Sequence, residues 1–237
     1  MNINNIKYQS WIEFKRDLFI DLSVTKINNG DFIFRGHGDS NYKLESTFDR
    51  KFPNLIGKEI TVESKKLLEL FKKECDGRIK GFSEFKDDYI LALARHHGLP
   101  TRLLDWSISP YIAAFFAFSS CQLNNSTDIA IYALDSIAPE IDQSTGFQVL
   151  DIEISDNNRQ LYQQGKYTLL ESHYKSIDEY ISHLPHKKDP ILHKIIIPTT
   201  EASTALIDLS LMGINHSNLM QNIDGYAMSA FVKYSLY

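Results

Sequence analysis

The sequence has few residues of the kinds that cross-link a chain or coordinate a metal. It contains two cysteines in 237 residues, Cys75 and Cys121, which lie far apart and not at the spacing of a metal site. This pattern favours unpaired structural thiols in a reducing cytosol over a disulfide framework. A chain of this length can bury a sizeable hydrophobic core without such cross-links.

Long apolar segments and a strong net charge are also missing. The first residues lack the apolar stretch of a signal peptide, and the longest apolar run, residues 112–118, is too short to span a bilayer. The net charge of -5 argues against attachment to nucleic acid through bulk electrostatics, although Lys65-Lys66 and Lys72-Lys73 leave room for a local basic groove. We therefore expect a cytoplasmic protein that does not bind membranes.

Several catalytic motifs are absent from the sequence. There is no Gly-x-Ser-x-Gly, which disfavours a Ser-His-Asp hydrolase. There is also no Gly-x-x-x-x-Gly-Lys and no Gly-x-Gly-x-x-Gly, which argues against P-loop and Rossmann sites. His96 and His97 are adjacent in a predicted helix and point to different sides, so they cannot easily share one ion. With no His-Glu-x-x-His either, we expect no metal site.

Two dense polar blocks are present instead. The first is Phe34-Arg35-Gly36, followed by His37 and by a polar segment that ends at Tyr42. An arginine that leaves a strand beside a glycine can bind an anion through five planar donors and leaves space for a phosphate to approach. The second block, residues 95–107, contains two His, two Arg, one Asp and two hydroxyl side chains. Together the blocks predict an enzyme or ligand pocket.

The hydrophobic periodicity predicts a single α+β domain over residues 1–237, with a helical N-terminal part packed on a mixed, twisted sheet. No linker long enough to separate two domains is present. Helices are predicted at residues 11–22, 59–75, 85–97, 110–119, 177–184, 202–212 and 225–237, and strands at residues 32–35, 103–106, 128–134, 147–154, 167–170 and 192–197.

Each polar block also has a purely structural interpretation. Arg35 could form a surface ion pair at a strand end, and Arg102 and Asp105 could pair to hold their strand to the core. Trp106 is either a core residue or a flat surface for an aromatic ring. A third block runs from Arg159 through Gln163, Gln164 and Gly165 to Tyr167. It is either a surface turn or a segment that places an amide in the cleft.

Phe34-Arg35-Gly36 and the run from His97 to Ser107, with Ser109-Pro110 and Ala113-Ala114-Phe115-Phe116-Ala117, resemble the FRG-domain family. That family is named for its Phe-Arg-Gly motif. Gln164-Gly165 followed by an aromatic residue, and the pattern Gly213-Ile214, Leu219 and Asp224-Gly225, extend the resemblance over about residues 30–230.

The order of these motifs is also similar to the ADP-ribosyltransferase layout, a likeness at the level of the fold. It implies that Arg35 contacts the NAD phosphate or nicotinamide ribose and that Trp106-Ser107 supports the nicotinamide pocket. The acidic residue of that layout has no obvious counterpart, since Gln163 or Gln164 lies near its expected place. Glu153, Glu171 and Glu201 are alternatives.

The resemblance implies an enzyme of ADP-ribosyltransferase type that consumes NAD, without a metal, as a bacterial toxin or antiphage defence effector. Its acceptor would be a protein or nucleic acid, and an antitoxin could be its partner. A nucleotide- or RNA-binding module without catalysis and an NAD glycohydrolase are the alternatives. We predict a catalytic set of Arg35, Ser107 and Gln164, and a nucleotide-binding set of Arg35, Gly36, His37, Tyr42, His97, Thr101, Arg102, Asp105 and Trp106. Arg35, His97, Arg102, Asp105, Ser107 and Gln164 should line or support one cleft.

Overall fold

The central element of the fold is one mixed seven-stranded sheet. A computed structural model describes residues 2–121, 126–152, 162–186 and 188–236 of the chain. The strands are β1 (Ile3–Lys7), β2 (Phe32–His37), β3 (Leu103–Ser107), β4 (Asp128–Asp135), β5 (Phe147–Leu150), β6 (Gly165–Leu170) and β7 (Leu192–Pro198). They are arranged in the order β1-β7-β4-β2-β3-β6-β5. The β1–β7 pair is parallel and the other neighbours are antiparallel.

Helices surround this sheet, which confirms the predicted α+β class. Those described are α1 (Trp11–Asp21), α2 (Val24–Asn29), α3 (Thr47–Lys51), α4 (Glu59–Cys75), α5 (Asp87–His96), α6 (Pro110–Cys121), α7 (Ile177–Ser182), α8 (Ala202–Leu211), α9 (His216–Met220) and α10 (Ile223–Leu236). Short 3₁₀ turns lie at Phe82–Glu84, Gln143–Thr145 and Thr199–Glu201. No helix in the described ranges is both long and apolar enough to cross a membrane.

Alternation along β2 shows how the sheet is covered on both faces. Phe32 and Phe34 pack in one hydrophobic cluster with α1, α6 and α8, whereas Ile33 packs in a second cluster with Trp106 and α7. Successive side chains of a strand point to opposite faces, so a strand buried on both faces is apolar throughout. Helix α6 is buried over most of its length, as its sequence predicts.

The predicted elements agree with the structure apart from their ends and four short segments. The strand predicted at residues 147–154 ends at Leu150, and residues 153–161 lie outside the described ranges. Strand β1 and the short helices α2, α3 and α9 were not predicted. Strand β1 lies at the sheet edge with Asn4 and Asn5 exposed, so its sequence shows no apolar alternation.

The two central strands β2 and β3 separate soon after they meet. Phe34 and Ser107 form their one register pair, whereas β2 has six such pairs with β4 and β3 has five with β6. The backbones of Arg35 and Gly36 therefore have partners on β4 but none on β3. This separation makes an opening in the middle of the sheet, and the polar blocks of the sequence meet there.

Candidate functional site

The side chain of Arg35 occupies this opening. Its Nη1 donates a hydrogen bond of 2.5 Å to the main-chain oxygen of Asp105, across the gap between β2 and β3. Its Nε donates to Nε2 of His37 at 3.1 Å. No described residue accepts a hydrogen bond from Nη2. Arg35 is thus a largely buried guanidinium, with 18% of its side chain exposed, that keeps one donor group for a ligand.

The charge environment of Arg35 is positive. Burial lowers the pKa of the Arg35 guanidinium to about 10; the Asp105 carboxylate opposes this shift, while Arg95 and Arg50 add to it. The group therefore stays cationic at neutral pH. Burial and the adjacent Arg35 lower the pKa of His37 to about 3, which keeps its imidazole neutral.

The neutral ring of His37 can be assigned a tautomer from its partners. Its Nε2 accepts from Arg35, so the proton lies on Nδ1, which faces the main-chain oxygen of Tyr42 at 3.4 Å. The hydroxyl of Tyr132 donates to the same oxygen at 2.9 Å. The hydrogen bond from Nε of Arg35 to His37 therefore fixes the orientation of the Arg35 guanidinium.

A second arginine faces Arg35 across Asp105. Nη2 of Arg95, in the last turn of α5, lies 2.6 Å from Oδ2 of Asp105, and Nη1 of Arg35 lies 3.9 Å from the same oxygen. The other fork nitrogen of Arg95 donates to the hydroxyl of Thr47 on α3. Sequence reasoning did not assign a role to Arg95. Its position at the C-terminal end of a helix, inside the polar block, is the signal that could have identified it.

These groups line a cavity of about 530 Å³. The lining residues are Phe34, Arg35, Gly36, Arg95, His96, Asp105, Trp106, Ser107, Ala113, Phe116, Ser120, Gln163, Gly165, Lys166 and Tyr167. The volume is in the range of pockets that bind small molecules and cofactors. Among the described lining residues, three side chains are always cationic at neutral pH and Asp105 is the only carboxylate. The cavity therefore suits an anionic ligand with apolar parts.

Gly36 has a packing role that the sequence did not reveal. A Cβ atom built there would lie 1.9 Å from the main-chain oxygen of Ala113 and 2.8 Å from the nitrogen of Ala117, both on α6. Gly38 meets the same helix, with its Cβ position 2.7 Å from the nitrogen of Cys121. The glycine of the Phe-Arg-Gly motif thus lets α6 approach β2 closely. The space predicted for a phosphate on this side is filled by the helix.

Trp106 and Ser107 both line the cavity while making contacts that hold the site. The indole Nε1 of Trp106 donates to the hydroxyl of Thr168 on β6 at 2.8 Å. The hydroxyl oxygen of Ser107 accepts from the backbone N–H of Ser109 at 3.1 Å, in the turn before α6. The hydroxyl proton of Ser107 is not used in that bond and can be donated to a ligand.

Arg102 and Thr101 do not line the cavity. Arg102 is buried and forms an ion pair with Asp49 at 3.3 Å, and it also donates to the main-chain oxygens of Ser172 and Tyr174. Arg102 and Asp105 therefore do not form the structural pair that the sequence left open. Arg102 pairs with Asp49 on α3, and Asp105 pairs with Arg95 on α5. Thr101 is also buried, and its main-chain oxygen accepts from the N–H of Phe48 at 3.2 Å. Both residues hold α3 to β3.

Two other predicted residues are each one position away from the residue that lines the cavity. His97 directly follows α5, whereas His96, the last residue of that helix, lines the cavity, and both residues are exposed. Gln164 is not among the lining residues; it has a φ of 49°, and its main-chain oxygen accepts from Ile108. Gln163 lines the cavity, and its side chain donates to the main-chain oxygen of Leu219 at 3.3 Å.

Tyr42 is half exposed and is not a lining residue. Its main-chain oxygen faces Nδ1 of His37.

The alternative carboxylates lie elsewhere. Glu171 pairs with Lys65 at 3.0 Å, and Glu201 accepts a hydrogen bond from the N–H of Trp11 at the start of α1. Glu153, like Arg159 of the third polar block, falls outside the described residues. No group of three His, Cys, Asp or Glu side chains in the described ranges is arranged to hold a metal ion.

The comparison with known protein families agrees with the Phe-Arg-Gly motif. Residues 30–126 match the model of the FRG domain. Over this part of its length the chain is similar to the FRG domain. Searches of curated proteins and of solved structures find no match.

The FRG domain match contains β2, β3 and α6, and with them both arginines of the cavity and Asp105. Gln163 and the residues of β6 that complete the cavity follow after the matched range. The match covers the first part of the range expected from the motifs, residues 30–230. The cavity is therefore built mainly by residues of the matched range and is closed by strand β6, which comes later in the chain.

Proposed function

We propose that the cavity binds NAD and that the chain is an NAD-consuming enzyme of ADP-ribosyltransferase type. One observation carries this proposal. The opening between β2 and β3 holds a largely buried guanidinium, that of Arg35, whose Nη2 has no acceptor among the described residues. A preoriented, desolvated arginine with an open donor is suited to a phosphate group, because the planar fork matches phosphate oxygens.

The charge of the cavity supports a diphosphate. Arg35, Arg95 and Lys166 supply three positive charges and Asp105 one negative charge, which leaves an excess of two among the described lining residues. The diphosphate of NAD carries two negative charges. Lys166 reaches the cavity while paired with Asp151, an exposed residue that does not line it. The net positive charge of the cavity favours an anionic dinucleotide over a neutral ligand.

The reaction would break the bond between nicotinamide and C1 of the adjoining ribose. Positive charge develops on that ribose, and an acceptor then forms the new bond to C1 while its proton passes to a base or to water. Arg35 would hold the diphosphate, and aromatic lining residues would contact the nicotinamide. Ser107 and Gln163 would supply hydrogen bonds, with Gln163 in the place first assigned to Gln164. Asp105 is the lining carboxylate and would face the developing charge.

The resemblance supplies the biological setting of the proposal. An enzyme of this type in the cytoplasm would act as a toxin or defence effector on a protein or nucleic acid, and an antitoxin would restrain it.

A second function is favoured by one contact. The carboxylate of Asp105 is held by Arg95 at 2.6 Å, which neutralises the group that catalysis would use. A site of this kind suits nucleotide binding without turnover. NAD glycohydrolase activity, in which water takes the place of the acceptor, would need the same groups.

Incubation of the protein with labelled NAD and cell lysate tests the proposal. Label on a protein or nucleic acid is the expected result. Free ADP-ribose alone would indicate a glycohydrolase, and binding of NAD without any turnover would indicate a binding module. Arg35→Lys is the control, since it keeps the positive charge and removes the planar fork.

A further inference from the structure

Asp105 is placed between the two arginines of the cavity. Its Oδ2 lies 2.6 Å from Nη2 of Arg95 and 3.9 Å from Nη1 of Arg35. About half of the Asp105 side chain is exposed, compared with 18% for Arg35 and 21% for Arg95. The carboxylate is thus the most accessible of the three charges.

This position gives Asp105 two opposite effects on ligands. A simple phosphate anion must compete with the carboxylate for Arg95 and is also repelled by it. A ligand with a hydroxyl beside its phosphate can instead donate that hydroxyl to the carboxylate, because a carboxylate only accepts hydrogen bonds. A carboxylate has about four lone-pair sites, so it can accept from an arginine and from a hydroxyl at the same time. Ribose hydroxyls adjoining a diphosphate satisfy this condition.

We infer that Asp105 is a specificity-determining residue, which makes the cavity select diphosphates that carry a ribose over inorganic anions. The inference rests on the proposed function for the diphosphate site, and it adds the group that rejects the abundant simple phosphates. Without a carboxylate at this place, the positive cavity would bind any small anion.

The test compares two ligands that share a diphosphate, inorganic pyrophosphate and ADP-ribose, by calorimetry on the full chain. In Asp105→Asn the shape is kept and the charge is removed. Pyrophosphate should bind about 10-fold more tightly than to the wild type, because the competing charge is gone. ADP-ribose shares this gain at its diphosphate, but the loss of the carboxylate as acceptor for its ribose hydroxyls should outweigh it and leave binding about 10-fold weaker.

Asp151→Asn is the matched control. It removes one negative charge from the exposed partner of Lys166, next to the cavity but outside its lining. Both ligands should then shift in the same direction and by less than about 3-fold. Asp105→Glu is a second variant, which keeps the negative charge at this position, so its binding of pyrophosphate should stay weak. Thermal melting of each variant checks that it is folded.

Opposite shifts of the two ligands in Asp105→Asn support the inference. Equal tightening of both would overturn it, since Asp105 would then be only a competing charge. Weakening of both, or binding of neither ligand by any of the folded proteins, would also overturn it.

These outcomes are separate from those of the proposed function. If the two ligands shift in opposite directions but NAD is not consumed, the selective role of Asp105 is supported and the transferase activity is rejected. If NAD is consumed but the opposite shifts are not seen, the transferase activity is supported and the selective role of Asp105 is rejected.

Discussion

The Nε atom of Arg35 donates a hydrogen bond to Nε2 of His37, two residues further along β2, at 3.1 Å. The two side chains lie on the same face of the strand, since residues i and i+2 share a face. The imidazole must be neutral to accept this bond, and burial together with the charge of Arg35 lowers the pKa of His37 so that it is. His37 is therefore a positioning residue for the guanidinium.

Replacement of His37 tests that role. His37→Phe keeps an aromatic ring but leaves Nε of Arg35 without an acceptor, so ADP-ribose should bind about 10-fold more weakly. His37→Gln offers a side-chain oxygen to Arg35 and should recover most of the affinity. Calorimetry with ADP-ribose measures both variants. Equal loss in the two would show that His37 acts through packing alone.

The fork of Arg35 is tested by a conservative change. Arg35→Lys should impair NAD turnover nearly as much as Arg35→Ala, because lysine has one charged nitrogen and cannot span two phosphate oxygens. The expected loss in kcat/KM is ~10² to 10³, or about 2–4 kcal/mol of transition-state stabilisation. The melting temperature should change little. Near wild-type turnover in Arg35→Lys would remove Arg35 as the phosphate anchor.

Gly36→Ala is expected to act on stability. The added methyl would lie 1.9 Å from the main-chain oxygen of Ala113, so α6 must move away from β2, at a cost of about 3 kcal/mol or more. Gly57→Ala is the matched control, because Gly57 has a φ of +58° and no atom within 4 Å of its Cβ position. It should cost only about 1–2 kcal/mol of backbone strain. Urea denaturation compares the two, and similar losses would contradict the close packing.

The ion pair between Arg102 and Asp49 is buried, so its loss should also unfold the protein rather than empty the cavity. Arg102→Ala should lower the free energy of unfolding by about 3–5 kcal/mol, since it leaves the Asp49 carboxylate buried without its partner. Arg78→Ala breaks an exposed pair with Glu74 and should cost well under ~1 kcal/mol. If the Arg102→Ala protein were as stable as the wild type but did not bind the ligand, Arg102 would instead be a ligand-binding residue.

Buried histidines should make the protein less stable in acid. Burial lowers the pKa of His193 on β7 from 6.5 to about 4. Between these values the unfolded chain binds more protons than the folded one, so stability falls as the pH falls through this window. The slope is ~1.4 kcal/mol per pH unit for one such group. Urea denaturation at pH 7.5 and 5.0 measures it. His193→Gln should reduce the slope, and an unchanged slope would assign it to other groups.

Local periodicity was enough to predict most of the fold. Strand β2, which includes Ile33, is buried on both faces, and helix α6 is buried nearly all round. Such continuous apolar segments can be recognised in a single sequence. Strand β1 was not, because its stability comes from parallel pairing with β7, about 190 residues away. Residues joined only by tertiary structure leave no local pattern.

The sequence indicated which polar blocks form the site, but it indicated less well which individual residues of each block line the cavity. Arg35, Asp105 and Ser107, which the sequence analysis assigned to one cleft, all line the cavity. The partner of Arg102 lies 53 residues earlier in the chain, so sequence proximity pointed to the wrong aspartate. The choice between His96 and His97 depends on where α5 ends, and helix ends are the least certain feature of a sequence-based prediction.

Because β2 and β3 share only the register pair Phe34–Ser107, the sheet is weakly connected between these two strands. The sheet consists of a four-stranded block and a three-stranded block. They are joined by one backbone pair, by helix α6, by the hydrophobic cluster around Ile33 and Trp106, and by the hydrogen bond from Arg35 to the main chain of Asp105. An occupant of the cavity would bridge the two blocks and stiffen the seam between them. Amide hydrogen exchange along the seam would then report occupancy directly, whether or not the occupant is ever consumed.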